Sequence, residues 1–376
     1  MTEQETLYMM ALTQVPSLSL ASLRQLIDEL GSATAVYEHR RSLQQVMPLA
    51  SQKTLDALAA LDSHLARAEA ELAFCRKGKV QCLGINDEAY PQRFRECLDA
   101  PVLLYYRGTA DLNARHIVSM VGTRQITSYG KDLCRTFVRD LKSLCPDALV
   151  VSGLAYGVDV NCHRAALEEG LETVGVLAHG LDQIYPRHHR ETAKQMVSRG
   201  GLLTEYMSQT AIDKRNFVQR NRIVAGVADA VVVVESAARG GSLITADIAL
   251  SYDRQVWAFP GRVSDNYSAG CNRLISSNCA ALLTSAEDFC LAMGWTDDVQ
   301  HRKQLSEGIQ QELFADDLTP EEQRVLQALA KDDGKQINIL AVETNIPIGD
   351  LNSLLFSLEM KGAVQMLAGG KYKLRR

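Results

Sequence analysis

Residues 230–235 read Ala230-Val231-Val232-Val233-Val234-Glu235, five apolar positions in an unbroken row closed by a carboxylate. A strand with one wet face alternates apolar and polar side chains. An unbroken β-branched row instead points to a strand covered on both faces. Runs of the same kind recur at 117–121, 148–151, 173–178, 201–204, 255–259 and 280–283, with helical or loop segments of fitting length between them. Buried strands alternating with helices predict an α/β domain: an extended, mostly parallel, doubly wound Rossmann-like sheet spanning about 76–292. In such a sheet ligands sit beyond the carboxyl ends of the strands.

The flanks read differently. Up to about residue 75 apolar positions recur at helical spacing (Leu7, Met10, Ala11, then Leu20, Leu23, Leu26, Ile27, Leu30), and 51–75 reads as one long helix. This predicts a small helical, SAM-like module over residues 1–75. The polar stretch 293–317 reads as a linker. From 318 to 376 three helical patterns, at 321–330, 337–344 and 349–361, precede two short strand candidates at 364–367 and 372–374, the order of a winged helix. From residue 310 to the end, eight Lys or Arg stand against ten Asp or Glu, a poor balance for DNA.

Composition removes several classes of function. With 376 residues, 46% hydrophobic and 23% charged, the chain supports two or three packed domains and no extensive disorder. It lacks a run of 18 uncharged apolar residues, and its start has no basic stretch followed by an apolar one, so neither a membrane span nor a secretory signal is expected. Nine scattered cysteines without a C-x-x-C pair read as reduced thiols of a cytoplasmic protein, with no metal site. The net charge of −5 means that a polyanionic partner needs a local basic patch.

Such a patch exists. Between Tyr185 and Arg222, eight cations (Arg187, Arg190, Lys194, Arg199, Lys214, Arg215, Arg220, Arg222) face three carboxylates (Glu191, Glu205, Asp213), a local +5. It lies among strand exits rich in Gly, Ser, Thr and Arg. After 117–121 come Gly122, Thr123 and Arg124, with Thr127 or Ser128 placed to cap the next helix and leave its N–H groups for phosphate. The second exit is Ser152-Gly153-Leu154-Ala155-Tyr156-Gly157-Val158-Asp159. Here Asp159 either caps a helix or fixes Arg124, Tyr156 stacks on a base if it points outward, and His163 is a packing residue or a ligand contact. Arg220-Asn221-Arg222, the Gly240-Gly241-Ser242 helix start, and Gly261 with Asn272 complete a phosphate-friendly edge. No G-x-G-x-x-G fingerprint is present, so no dinucleotide cofactor is expected.

These residues resemble the DNA-processing protein A family, also called Smf. The shared pattern comprises Val121-Gly122-Thr123-Arg124 with Tyr129-Gly130, the segment from Ser152 to Asp159 with His163, Gly180-Leu181-Asp182 with Tyr185-Pro186, and Phe217 with Arg220-Asn221-Arg222-Ile223. It continues through Gly241 to Ala246, Pro260-Gly261, and Gly270 to Ile275. One departure is Tyr156, where the family often carries Arg or Lys. The resemblance implies a homodimeric, non-catalytic protein without cofactors. Such a protein binds and protects single-stranded DNA during natural transformation and loads the RecA recombinase onto it. On this reading the DNA-binding residues are Gly122, Thr123, Arg124, Ser152, Gly153, Tyr156, Gly157, Asp159, His163, Arg187, Arg190, Lys194, Arg220, Asn221, Arg222, Gly241, Ser242 and Asn272. Two other readings compete. A nucleotide N-glycosidic hydrolase would require a catalytic carboxylate, and Asp247 rather than Glu follows the Gly-Gly loop. A recombination adaptor would have little DNA affinity of its own.

Overall fold

The computed structural model describes residues 1–48, 50–295, 319–330, 335–361, 363–367 and 371–374. They belong to two compact units, Met1–Val299 and Gln300–Arg376. Residues 296–317 of the expected linker, and residues 368–370 between the two strand candidates, lie outside the described residues.

The first unit is built on a nine-stranded sheet. Its strands are β1 (Gln81–Gly84), β2 (Leu103–Gly108), β3 (Ile117–Val121), β4 (Leu149–Ser152), β5 (Glu172–Val176), β6 (Gly200–Thr204), β7 (Ala230–Val233), β8 (Gln255–Ala258) and β9 (Ala281–Leu282). They lie in the order β1-β2-β6-β5-β4-β3-β7-β8-β9. From β6 to β9 all neighbours are parallel, whereas β1–β2 and β2–β6 are antiparallel. The chain winds outward from β3 through β4, β5 and β6, then returns to place β7 on the other side of β3. This reversal leaves a crevice at the carboxyl ends of β3 and β7.

Each central strand buries both faces, as the unbroken apolar rows require. Val118 and Met120 join a core with Phe137, Leu141, Cys162 and Ala165 of the helices Ser128–Leu144 and Val158–Glu169. Ile117 and Val121 point the other way, into a core shared with Ile223, Val224, Leu243 and Ala246 of Lys214–Gly226 and Gly241–Ser251. The period-2 alternation thus divides one strand between two cores.

The amino-terminal helices are not a separate body. Met9 to Leu12 share one core with Leu103 to Tyr106 of β2. Two polar ties reinforce this. The Arg24 guanidinium donates to the carbonyls of Cys97 and Arg95 at 2.7 and 2.8 Å. The carboxylate of Glu71, 1% exposed, accepts from the Ser208 N–H at 2.8 Å, from the Ser208 hydroxyl and from Arg67. The expected boundary near residue 75 is therefore no break in packing. The expected long helix over 51–75 is also divided, into Gln52–Ala59, a 3-10 turn Leu61–His64 and Leu65–Gly78. The division buries Leu61 completely and sets Asp62 against Arg40 at 3.1 Å and the Tyr37 hydroxyl at 2.9 Å.

The second unit holds helices Pro320–Leu329, Ile337–Thr344 and Ile348–Met360 and an antiparallel sheet of β10 (Lys335–Gln336), β11 (Val364–Leu367) and β12 (Lys371–Leu374), ordered β10-β12-β11. Thr319 and Glu322 form a capping box. The same Glu322 carboxylate, buried, accepts from Ser357 and Lys361 and ties the first helix to the third.

The Glu71 tie generates a prediction. Truncation in Glu71→Ala strands the Ser208 donors and the Arg67 charge, and the expected loss is about 3 kcal/mol of stability. Asp28→Ala, removing an exposed partner of Arg24, is expected to cost less than about 0.5 kcal/mol. Urea midpoints for the two variants check the contrast.

Candidate functional site

The reversal of strand order opens a cleft of 440 Å³ at the carboxyl ends of β3, β4 and β7. Glycine backbone, buried charges and exposed cations each contribute a different part of it.

The exit of β3 is held by its neighbours. The Thr123 N–H donates to the Glu235 carbonyl at 2.7 Å, and the Thr123 carbonyl accepts from the Val158 N–H at 3.1 Å. Gly157, with φ of 80°, lies so close beneath that a Cβ there would collide with the Thr123 carbonyl and the Arg124 backbone. Thr127, not Ser128, caps the helix that follows. That helix start is not free for phosphate as the sequence suggested. The buried Glu235 carboxylate already occupies it, accepting from the Thr127 N–H at 2.9 Å and its hydroxyl at 2.5 Å. A carboxylate at a helix amino terminus is electrostatically satisfied there, which removes the site from contention for a ligand.

Beneath the cleft lies Arg220, 3% exposed. Its Nη1 donates to the carbonyls of Gly153 (2.5 Å) and Val176, joining the ends of β4 and β5. A Cβ on Gly153 would strike this guanidinium, which explains the glycine. Burial pushes the Asp159 carboxyl up, while the Arg220 charge and, more weakly, Arg124 pull it down. Asp159 also accepts from the Ala155 N–H at 3.3 Å. Both Arg220 and Asp159 line the cleft, so the buried pair forms part of its floor.

The upper walls are wetter. Arg124 is exposed, with its guanidinium carbon 5.6 Å from the Phe217 ring centre. Phe217 in turn packs edge-on against Tyr185, itself 44% exposed, at 5.8 Å. Together they form a cation–aromatic–aromatic strip along the lip. Phe217, Asn221 and Val224 share one helix face and line the cleft. The opposite wall is Gly240, Gly241 and Ser242, opening the helix Gly241–Ser251, which has no side-chain cap.

Several residues expected to bind are consumed by the structure. Ser152 is fully buried and donates to the Met120 carbonyl at 2.6 Å. Arg222 points away from the cleft and pairs with Glu205 at 2.5 Å in the interior, its charge holding the desolvated Glu205 carboxylate. Asn272 exchanges two hydrogen bonds with the Gly261 backbone, at 3.0 and 3.1 Å, outside the cleft lining. His163 is wholly buried. Thr173 spends its one hydroxyl proton on the Val150 carbonyl, so the 2.7 Å contact requires His163 Nδ1 to be the donor. Its Nε2 is left with no partner, and burial drives its pKa down to about 3. These side chains need burial to hold strand ends together, and burial removes them from solvent.

Arg187, Arg190 and Lys194 are exposed, on the 3-10 turn Arg187–His189 and the helix Arg190–Ser198, and do not line the cleft. Tyr156 lies beside them. Its ring is 5.0 Å from that of His189, and its hydroxyl is 3.5 Å from His188 Nδ1. Two contributors lie outside the binding residues expected from sequence: Phe217, which lines the cleft, and Glu235, which fills the helix start behind it. Phe217 was detectable, since it lies four residues before Asn221, one helical turn away on the same face. Among the described residues, no group of three or more His, Cys, Asp or Glu is placed to hold a metal ion, and no helix is long and apolar enough to cross a membrane.

His163 generates a pH prediction. Its folded pKa lies below its ordinary value of 6.5, so its contribution is complete above that pH and is lost as pH falls toward 3. The expected result is a wild-type stability that declines on acidification. In His163→Gln the decline between pH 6 and 4.5 should be shallower by about 1.4 kcal/mol per pH unit, one proton's worth. Denaturant titrations at stepped pH check it.

Similarity to known proteins follows the same geography. A family profile described as DNA recombination-mediator protein A matches residues 81–294, and one described as the DprA winged helix domain matches 312–370. The DNA processing protein DprA of Streptococcus pneumoniae is 37% identical over 210 residues, 56% of this chain and 73% of that protein. The X-ray structure of DNA processing protein A from the same organism aligns with a TM-score of 0.62 at 29% identity, covering 77% of this chain and 98% of that one. DNA processing protein A from Helicobacter pylori, solved for insight into its single-stranded DNA binding mode, aligns with a TM-score of 0.52 at 28% identity, covering 57% and 95%.

Proposed function

This chain belongs to the DNA recombination-mediator protein A family, and from that premise we propose that it binds and protects single-stranded DNA and loads the RecA recombinase onto it during natural transformation, without catalysis and as a homodimer. The observation that carries the reading is the lip strip of Arg124, Phe217 and Tyr185 beside a cleft at the strand ends. A single strand needs fixed cations for phosphates and flat rings for bases, with no demand for groove geometry. Arg124 supplies the first and the two rings the second.

The exposed Arg187, Arg190 and Lys194, with Tyr156 among them, extend this surface along the same unit. Gly122, Thr123, Gly153, Gly157, Asp159, Asn221, Gly241 and Ser242 shape the cleft, while Ser152, His163, Arg220, Arg222 and Asn272 serve by holding the strand ends in place. Asp159 is the one carboxylate among the residues lining the cleft, and it faces Arg220, so no acid–base pair of carboxylates supports nucleotide hydrolysis. Handover to RecA and dimerisation rest on the family. A dimer would present two strand sites and gain avidity along one DNA molecule.

The test is an anisotropy titration of labelled oligo-dT at stepped salt concentrations. Arg124→Ala is expected to lower the salt slope by about 0.7, the signature of one lost phosphate contact to a single strand. Phe217→Ala is expected to weaken binding by about 1–3 kcal/mol with the slope unchanged, as loss of stacking does. Unaltered slopes in alanine variants at Arg124, Arg187, Arg190 and Lys194 alike would overturn the reading.

A further inference from the structure

The winged helix carries a face that single-strand binding leaves unused. Ile348, Asn352, Phe356 and Met360 stand four apart on the helix Ile348–Met360 and make one exposed stripe, away from the buried Leu351, Leu355 and Leu358. Phe356 and Met360 are 66% and 76% exposed, and Met366 of β11 is 52% exposed. The Met366 N–H reaches the Glu359 carboxylate at 3.4 Å, which sets this second methionine at the edge of the same stripe. A lone exposed apolar residue needs no partner. A ring beside two flexible thioethers is a surface that moulds itself to an apolar ligand.

Charge selects the occupant. Three carboxylates of the described winged-helix residues are met by cations: Glu321 by Arg324 at 3.8 Å, Glu322 by Lys361 at 2.9 Å and Glu343 by Lys335 at 2.7 Å. Asp350 and Glu359, both on the striped helix, have no cationic partner among the described residues, and that helix has no Lys or Arg of its own. A DNA backbone is opposed there by sign. A second copy of the helix is opposed too. Antiparallel packing along the stripe sets Asp350 of one copy beside Glu359 of the other, and parallel packing sets each beside itself, so like charges meet in both orientations.

We propose that this face of the winged helix docks a basic amphipathic helix of a partner protein. The apolar side of that helix lies on Phe356, Met360 and Met366, and its flanking Lys or Arg side chains meet Asp350 and Glu359. The inference concerns the second unit alone and stands whether or not the cleft of the first unit binds single strands.

The experiment uses the full-length protein and two labelled synthetic helices of about 18 residues, or about five turns, that share one leucine stripe. One carries Lys on its polar face and the other Glu. Anisotropy at low salt is expected to show the Lys helix binding about tenfold more tightly than the Glu helix, a preference that shrinks as salt screens it. The double variant Phe356→Ser, Met360→Ser removes the apolar anchors at exposed positions. Its melting temperature should hold while its affinity for the Lys helix falls about tenfold. The double variant Asp350→Asn, Glu359→Gln keeps the stripe and should lose the preference between the two helices. Equal binding of both helices, binding of neither, or a Lys-helix affinity untouched by both double variants overturns the proposal. Sedimentation, and titration with oligo-dT and with duplex DNA, are expected to give the same result for the wild type and for the serine variant. A smaller sedimenting mass in that variant assigns the face to a second copy, weakened DNA binding assigns it to nucleic acid, and either overturns the proposal.

Discussion

The cleft depends on one buried charge. Taking an isolated guanidinium out of water costs on the order of several kcal/mol, so Arg220 is tolerable only where carbonyls receive it and a carboxylate charge lies nearby. The ends of β4 and β5 provide the carbonyls of Gly153 and Val176, and the first turn of the helix Val158–Glu169 provides the Asp159 charge. Satisfying Arg220 therefore fixes where two strands stop relative to each other. It also requires a glycine at 153, since any side chain there would displace the guanidinium.

Glu235 does the equivalent work across β3. Its carbonyl receives the Thr123 N–H, and its carboxylate receives the Thr127 N–H and hydroxyl, so one residue sets both the loop that carries Arg124 and the helix behind it. Arg124 itself stays exposed against Phe217. The charges divide by depth. Interior ones (Arg220, Arg222, Asp159, Glu205, Glu235) each have at least one partner within the protein and determine geometry, while exposed ones (Arg124, Arg187, Arg190, Lys194) remain free to meet a phosphate. This division is economical because a solvated arginine gives up little hydration to a DNA backbone, whereas a buried one can be moved only by disturbing the strands it joins.

That division also explains what was legible in the sequence. The central parallel strands could be read because an unbroken apolar row marks a strand covered on both faces, and Val118, Met120 and Val232 sit in such positions, whereas the edge strand β9 is exposed at Ala281 and Leu282. The antiparallel edge strand β1 lacks that signal, since Gln81 is exposed and Cys82 half-buried in a four-residue strand, whereas β2, buried from Leu103 to Tyr106, carries it without being among the runs named from sequence. The glycine-rich exits were legible because close backbone approach excludes other residues. The depth of each arginine was not. Arg220 and Arg222, two residues apart on one helix, face different partners, and both were read as phosphate ligands because local charge counting does not record which carbonyl or carboxylate lies opposite. The break at Leu61 escaped for a related reason. A helical pattern continues through it, and only the distant Tyr37 and Arg40, gathered on Asp62, make the turn worthwhile.

The winged helix obeys the same electrostatic logic in the opposite sense. Its third helix, Ile348–Met360, contains no Lys or Arg and carries Asp350 and Glu359. Its exposed side chains include Phe356 and Met360, 66% and 76% accessible. A helix that follows a DNA groove needs cations for phosphates as well as polar donors for base edges, and this one exposes Asn352 and Ser353 beside its apolar residues but no cation. Lys361, just past its end, is drawn to the buried Glu322 carboxylate. The winged-helix order is thus retained while its third helix lacks the charge to follow a DNA backbone, and the cations of that unit's sheet, Lys371 and Lys373, lie on β12.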